Sequence, residues 1–238
     1  MDKLQLPLFF FFSSKYSEHQ FSSAESITLK ELSEEQIKNM LTKMAPNQVN
    51  IELISQKIFN ETDGIPQFLN AFIKQLLDEK VLSIENDQYI FLKTPEAISK
   101  QNFNIPPTIR QLSKQRLESL SNNQLILLKV LAVSGRALHI NILLEIVEWE
   151  EEKTFDLLEG LIEERIIIQQ KIGFDEYFSF TRRKLGEVLY EELQPNEQKK
   201  IHKELAVHLE NLPLPSLAIT QQIGEHYRAA EVASKAYS

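Results

Sequence analysis

From residue 33 onward, apolar residues recur three or four positions apart, which is the spacing of one face of an α-helix. A first helix is predicted to begin after Ser33, because Ser33 can act as its N-cap and Gln36 follows at the spacing of a capping box. A second helix is predicted from Asn47 to Asn60, and a third to begin near Pro66. This part of the chain is therefore predicted to be a small helical domain, followed by a hairpin at Val81–Leu92.

The start of the chain has a different pattern, with two apolar stretches separated by a polar loop. The run Leu4–Phe12 is shorter than the roughly 20 residues that a bilayer requires, and we interpret residues 7–13 as a buried strand. A signal-peptide core is the alternative, but Asp2 offsets Lys3 and no small-residue cleavage pattern follows. Residues 26–32 are predicted as a second strand. This order of strand, loop, strand and helix suits the end of a parallel sheet.

Residues 93–107 contain three prolines among polar residues and are predicted to be a linker. Further helices and a hairpin follow it. Three helices followed by a hairpin is the order of a winged helix. The predicted helices are Thr108–Leu120, Asn122–Ser134, Ile140–Val147, Glu150–Arg165, Arg183–Leu193, Pro195–Asn211 and Ser216–Ala230, and the predicted hairpin strands are Ile166–Gln170 and Tyr177–Thr181.

Composition supports a mainly α protein and argues against several kinds of binding site. Only 6 of the 238 residues are glycine, and a glycine-poor chain rich in leucine, isoleucine, glutamate and lysine favours helices over sheets. The net charge of −8 opposes non-specific binding to nucleic acid. The absence of cysteine excludes disulfides and thiolate metal sites, and it fits a cytoplasmic location.

No catalytic motif occurs in the sequence. The chain lacks a phosphate loop of the form G-x-x-x-x-G-K-[ST] and a G-x-S-x-G nucleophile. His202 and His208 are not at the i, i+4 spacing of a helical metal pair. The predicted helix Glu150–Arg165 is rich in carboxylates, which would repel DNA phosphates. We therefore expect no catalysis by this chain alone, no metal site and no nucleic-acid partner.

Several segments, taken together in their order and spacing, resemble the C-terminal part of the nucleotide-binding module of STAND-type AAA ATPases, which are signalling and transcription-regulating switches. The resemblance implies the end of a parallel αβ sheet at residues 1–32, a helical lid at 33–92, a linker at 93–107, a winged helix at 108–193 and the start of a tetratricopeptide-like repeat at 194–238. The segments that carry it are Thr62–Leu69 (TDGIPQFL), Ile105–Arg110 (IPPTIR) with Arg116-Leu117, Phe178–Phe180 (FSF) and Glu187–Tyr190 (EVLY).

The resemblance also implies roles for four residues. In the family, a Gly-x-Pro turn lies against the adenine, and this turn corresponds to Gly64 and Pro66. Lys15 is the counterpart of an arginine near the γ-phosphate, although lysine lacks the two-pronged geometry of arginine. Arg182 takes the place of a histidine that contacts the diphosphate of ADP. From the residues alone, an ordinary interhelical turn and solvated positions for Lys15 and Arg182 remain open alternatives.

The function implied by the resemblance is that of the lid and winged-helix portion of an ATP-dependent signalling switch. ATP or ADP with magnesium is then expected only in a complete module, whose partners are the missing N-terminal nucleotide-binding half and a protein bound through the helical repeat. No membrane association is expected. The alternative is a free-standing helical module that binds a protein partner. The turn at Gly64 and Pro66 favours the first hypothesis, and the missing phosphate loop favours the second.

Overall fold

The computed structural model describes residues 30–212 and 217–231. Within these ranges it has eleven α-helices, α1–α11, and five short β-strands, β1–β5. The mainly helical fold class predicted from the sequence is confirmed. The strand predicted at residues 7–13, the first part of the strand predicted at 26–32, and Lys15 lie outside the described residues, and Lys30–Leu32 do not form a strand.

From Glu31 onward the described residues belong to one compact unit. The domain limits expected at residues 32, 92, 107 and 193 stay predictions. No helix in the described ranges is long and apolar enough to cross a membrane.

The first helices pack around a core that contains the apolar stripes predicted from the sequence. The capping box is present, because Ser33 N–H donates to Gln36 Oε1 at 2.8 Å and Gln36 N–H donates to Ser33 Oγ at 3.2 Å. The second helix begins four residues later than predicted, since Asn50 adopts a left-handed backbone conformation with φ of 51°. The bounds are α1 Glu34–Met44, α2 Ile51–Thr62, α3 Pro66–Asp78, β1 Leu82–Glu85 and β2 Gln88–Phe91.

The segment predicted as a linker contains a short helix, α4, at Pro95–Lys100. Thr94 caps this helix by accepting from Ala97 N–H at 3.3 Å, and Ile98 is fully buried in the core of the first helices. Proline marks a break in a sequence, but Pro95 stands in the first turn of the helix, where its missing N–H costs no hydrogen bond. The linker prediction is therefore wrong at this point, because Pro95 begins a packed helix.

The next elements have the topology of a winged helix. A two-residue strand, β3, pairs with the second strand of the hairpin, so that the antiparallel sheet has the order β3–β5–β4. The sequence did not predict β3, because two residues are too few to show an alternating pattern. The bounds are α5 Pro107–Glu118, α6 Asn122–Ser134, β3 Leu138–His139, α7 Ile140–Val147, α8 Glu151–Glu163, β4 Ile167–Ile172 and β5 Asp175–Phe180.

Three more helices complete the described chain and contribute to the core of the winged helix. Leu185 and Leu189 of the first, and Leu205 of the second, are buried with Phe178 of β5. The last of these three helices packs on the middle one through Tyr227, which is buried against Ala206. The bounds are α9 Arg183–Glu192, α10 Pro195–Glu210 and α11 Leu217–Ala229.

Candidate functional site

The turn between α2 and α3 contains the predicted adenine-facing residues. Asp63 and Gly64 have left-handed backbone conformations with φ of 50° and 68°, which aspartate tolerates and glycine accepts without steric cost. Pro66 then takes the first position of α3, where its fixed φ suits the helix start. The sequence T-D-G-I-P thus produces a tight turn between two helices.

Gly64 lies directly against the backbone of Leu32. A Cβ atom added to Gly64 would stand 1.9 Å from the Leu32 carbonyl oxygen. The Leu32 N–H also donates a 2.8 Å hydrogen bond to the Gly64 carbonyl oxygen. The close backbone approach that glycine permits at this turn is therefore made by a neighbouring segment of the same chain.

Arg182 is held near the same segment. It is the N-cap of α9, at the end of the winged-helix hairpin, and its Nη2 lies 2.9 Å from Glu31 Oε1. The Arg182 side chain remains one-third exposed. A backbone hydrogen bond and the Arg182 guanidinium hold the pKa of Glu31 below its usual value, despite an opposing effect of burial. Since Glu31 precedes Leu32, Arg182 and the Gly64 turn contact adjacent residues.

A buried ion network connects α2 to α9 beside this turn. Lys184 Nζ lies 2.5 Å from Glu61 Oε2 and 2.6 Å from Glu187 Oε2, and Lys57 Nζ lies 2.9 Å from Glu61 Oε1. The side chain of Lys184 is only 4% exposed. Burial alone would raise the pKa of Glu61, but the hydrogen bonds from Lys184 and Lys57 outweigh it and lower that pKa.

The ends of α2 and α9 are also electrostatically complementary. Arg183 Nη2 donates to the Asn60 carbonyl oxygen at 3.1 Å, close to the negative C-terminal end of α2. The Lys184 N–H, at the positive N-terminal end of α9, donates to Asp63 Oδ2 at 3.5 Å. Burial raises the pKa of Asp63, although this hydrogen bond and the neighbouring cations oppose the change. Each helix end therefore faces groups of the opposite charge.

An apolar cluster also joins these elements, in addition to the polar contacts between α2 and α9. Phe68 of α3, Ile105 and Ile109 next to and within α5, and Val188 of α9 form a separate buried cluster. This cluster, the polar contacts among Glu61, Asp63 and Lys184, and Arg182 beside them join the first helices to the winged helix. We call these eight residues the α2–α9 joint.

Sequence reasoning did not single out Glu61 and Lys184. A signal existed, because Glu61 continues the helical stripe of Ile54 and Ile58, and Lys184 lies one turn before Val188 on α9. A charged residue on an apolar helix face indicates either a solvated edge or a buried ion pair. Only the position of the partner decides between them.

Of the four residues assigned by resemblance, Gly64, Pro66 and Arg182 lie at or next to the α2–α9 joint, and Lys15 lies outside the described residues. The described part of the chain contains no group of three or more histidine and carboxylate side chains that could hold a metal ion. No family model, no curated protein and no solved structure matches the chain.

Proposed function

We propose that this chain is the lid and winged-helix portion of an ATP-dependent signalling switch related to STAND-type AAA ATPases. One observation supports the proposal above the others. Gly64 and Arg182 are far apart in sequence and the resemblance assigns them to the two ends of a nucleotide, and they contact the adjacent residues Leu32 and Glu31.

The chain's own residues fit a role at the edge of a nucleotide site. Arg182 is the group that would contact a phosphate oxygen, because its guanidinium is partly exposed and arginine forms strong, directional hydrogen bonds to phosphate. The pair with Glu31 keeps the guanidinium positioned at the joint. Magnesium ligands and the phosphate loop would come from the N-terminal half of the module, so we expect no ATP hydrolysis by the chain alone.

In the complete module, Arg182→Ala is expected to weaken ADP binding about 10- to 100-fold, which is the value of a hydrogen bond to a charged group. To find the complete module, the genomic DNA upstream of Met1 would be searched for a continuous reading frame that encodes G-x-x-x-x-G-K-[ST]. Binding of a fluorescent ADP to the expressed module would be followed by anisotropy.

The matched control for this experiment is Arg110→Ala. Arg110 also forms an exposed ion pair with α9, through Glu191 and Glu192, but it lies outside the α2–α9 joint. We expect its removal to change ADP affinity less than about twofold, as for an ordinary exposed pair. Equal effects of the two substitutions, or magnesium-dependent ATP turnover by the isolated chain, would contradict the proposal.

A protein-interaction module is the second candidate, and the tip of the winged-helix hairpin favours it. Phe174 is fully exposed there and Ile172 is 64% exposed. Large apolar side chains at an exposed tip are typical of contacts with another protein. An upstream reading frame without a phosphate loop would leave this candidate as the better one.

We expect no binding to duplex DNA even at about 50 mM salt, where attraction to phosphates is strong. Helix α8 takes the place of a recognition helix, and it exposes Glu151, Glu152, Asp156, Glu159 and Glu163. A gel-shift titration with random duplex tests this expectation. A salt-sensitive complex that is weakened by Lys171→Ala or Arg182→Ala would show it to be wrong.

A further inference from the structure

Two histidines contact each other in the interior where α9, α10 and α11 meet. His202 Nδ1 of α10 lies 2.7 Å from His226 Nδ1 of α11, and the two residues are 8% and 4% exposed. The Tyr190 hydroxyl of α9 lies 3.1 Å from His202 Nε2. The nucleotide role proposed above does not use these groups.

The short distance between the two Nδ1 atoms restricts where protons can be. One Nδ1 must carry a proton and the other must accept it, because two bare or two protonated nitrogens would repel each other. If His202 is the donor, its Nε2 accepts from Tyr190; if His226 is the donor, His202 Nε2–H donates to Tyr190. In both arrangements, His226 Nε2 has no hydrogen-bond partner within the described part of the chain.

We propose that the His202–His226 pair is a pH-sensitive contact between α10 and α11. It holds α11 on α10 while both imidazoles are neutral, and α11 is released when the pair becomes positively charged. An added proton would place a charge in a buried contact. A second added proton would put N–H groups on both Nδ1 atoms and break the contact. Release exposes both imidazoles to water, where each can bind a proton freely.

The surroundings oppose a positive charge on the pair. On α9, Tyr190 contacts His202, and Arg183, Glu187 and Glu191 line the same cavity as His202. Before β3 lies Arg136, whose guanidinium acts on His226. Glu225 of α11 pairs with Arg136 through Oε2 at 3.0 Å and offsets part of this charge, so burial is the larger effect. On α10, Glu210 accepts a hydrogen bond from Tyr227. These contacts leave the neutral pair as the arrangement that fits the packed helices.

Burial, followed by the effects of His202 and Arg136, lowers the pKa of His226 to about 4. Burial also lowers the pKa of His202. A histidine with a depressed pKa in the folded state binds fewer protons there than in the released state. The attachment of α11 is therefore complete above the ordinary histidine pKa of about 6.5, and it weakens as the pH falls from there toward about 4.

Other contacts also hold α11: Ile219 and Ile223 pack against the core of the winged helix, Glu225 pairs with Arg136, and Glu231, just after α11, pairs with Lys199. Loss of the histidine pair should therefore be measured as local opening of α11. The buried apolar contact between the two helices is Tyr227 on Ala206, with Ile223 packed beside it. Hydrogen exchange reports such local opening as a protection factor, which already corrects for the effect of pH on the intrinsic exchange rate. Helix α6, which is buried in the core of the winged helix, reports global unfolding and is compared with α11 at each pH.

The test compares protection factors of the α11 amides at pH 7.5 and pH 5 by hydrogen exchange with mass spectrometry. Protection of α11 is expected to fall about 30-fold at pH 5, the ratio that follows from a change of the His226 pKa between about 4 and about 6.5. Protection of α6 should stay well above that of α11 at both pH values, because its amides exchange only through global unfolding. Equal protection of α11 at the two pH values would overturn the proposal.

His226→Gln should strongly reduce the pH response, because glutamine can still hydrogen bond but does not titrate in this range, and only His202 then remains to respond. The matched control is His208→Gln, since His208 is also on α10 but pairs with Glu145 instead. This variant should keep the response of the unmodified protein. An acid response of undiminished size in His226→Gln would also overturn the proposal.

If His226→Gln fails to hold α11 at neutral pH, an NMR titration of the unmodified protein decides the question. The ring proton signal of His226 should then titrate well below that of a free histidine. Titration of both His202 and His226 near about 6.5 would show that the pair does not oppose protonation and would overturn the proposal.

Discussion

Lys184→Met is expected to lower the free energy of unfolding by about 3–5 kcal/mol, the usual cost of removing one partner from a buried ion pair. The Lys184 side chain is 4% exposed and the Glu61 side chain is 9% exposed, so the carboxylate that remains cannot recover its hydration. Lys57 stays in contact with Glu61 and compensates only part of the charge. Urea denaturation followed by circular dichroism measures the change.

Two comparisons separate the buried pair from a general effect of losing a lysine. Lys114→Met breaks an exposed pair with Glu192 and should cost less than about 1 kcal/mol. The double substitution of Lys184→Met with Glu61→Leu removes both buried charges and should recover much of the loss. A cost for Lys184→Met as small as that for Lys114→Met would show that the network at the α2–α9 joint is hydrated.

Gly64→Ala is expected to cost about 2–4 kcal/mol. The left-handed conformation accounts for about 1–2 kcal/mol of this in a residue with a side chain. The rest arises because the new Cβ would lie 1.9 Å from the Leu32 carbonyl oxygen, so that the backbone of Leu32 must move and its hydrogen bond to Gly64 must lengthen. Thermal unfolding is a suitable measurement.

Gly173→Ala provides a control that isolates the steric part of this effect. Gly173 has φ of 66°, close to the 68° of Gly64, but a Cβ added there meets no atom within 4 Å. Its cost should therefore be limited to about 1–2 kcal/mol for the conformation. If the two substitutions cost the same, the contact between Gly64 and Leu32 does not contribute to stability.

Together, these two experiments test the α2–α9 joint and the turn beside it by separate physical effects. Lys184 tests the charge network between α2 and α9, and Gly64 tests the packing of the turn on Leu32. Displacement of Leu32 should also disturb the neighbouring Glu31 and its pair with Arg182. If the proposed switch function is correct, Gly64→Ala should therefore reduce ADP affinity in the complete module as Arg182→Ala does.

Much of the secondary structure followed from local patterns. The start of α1 was predicted from the capping box at Ser33 and Gln36, and the turn after α2 from Asp63-Gly64 with Pro66 behind it. The later helices were predicted to within a few residues of their observed ends. The exceptions are the two-residue strand β3, the helix α4 that begins at Pro95, the later start of α2, and the strand predicted at 26–32, whose described residues Lys30–Leu32 are not a strand.

The sequence by itself determined where helices begin, which face of each is apolar and where the chain turns, because caps, periodicity and left-handed residues act over four residues or fewer. Only the tertiary structure decided which charges meet. Lys184 and Glu61 are separated by 123 positions, and Arg182 and Glu31 by 151. A charged residue on an apolar helix face has the same local pattern whether or not a partner is present. Its role depends on which distant segment the packing of the cores brings against it, and no local pattern contains that information.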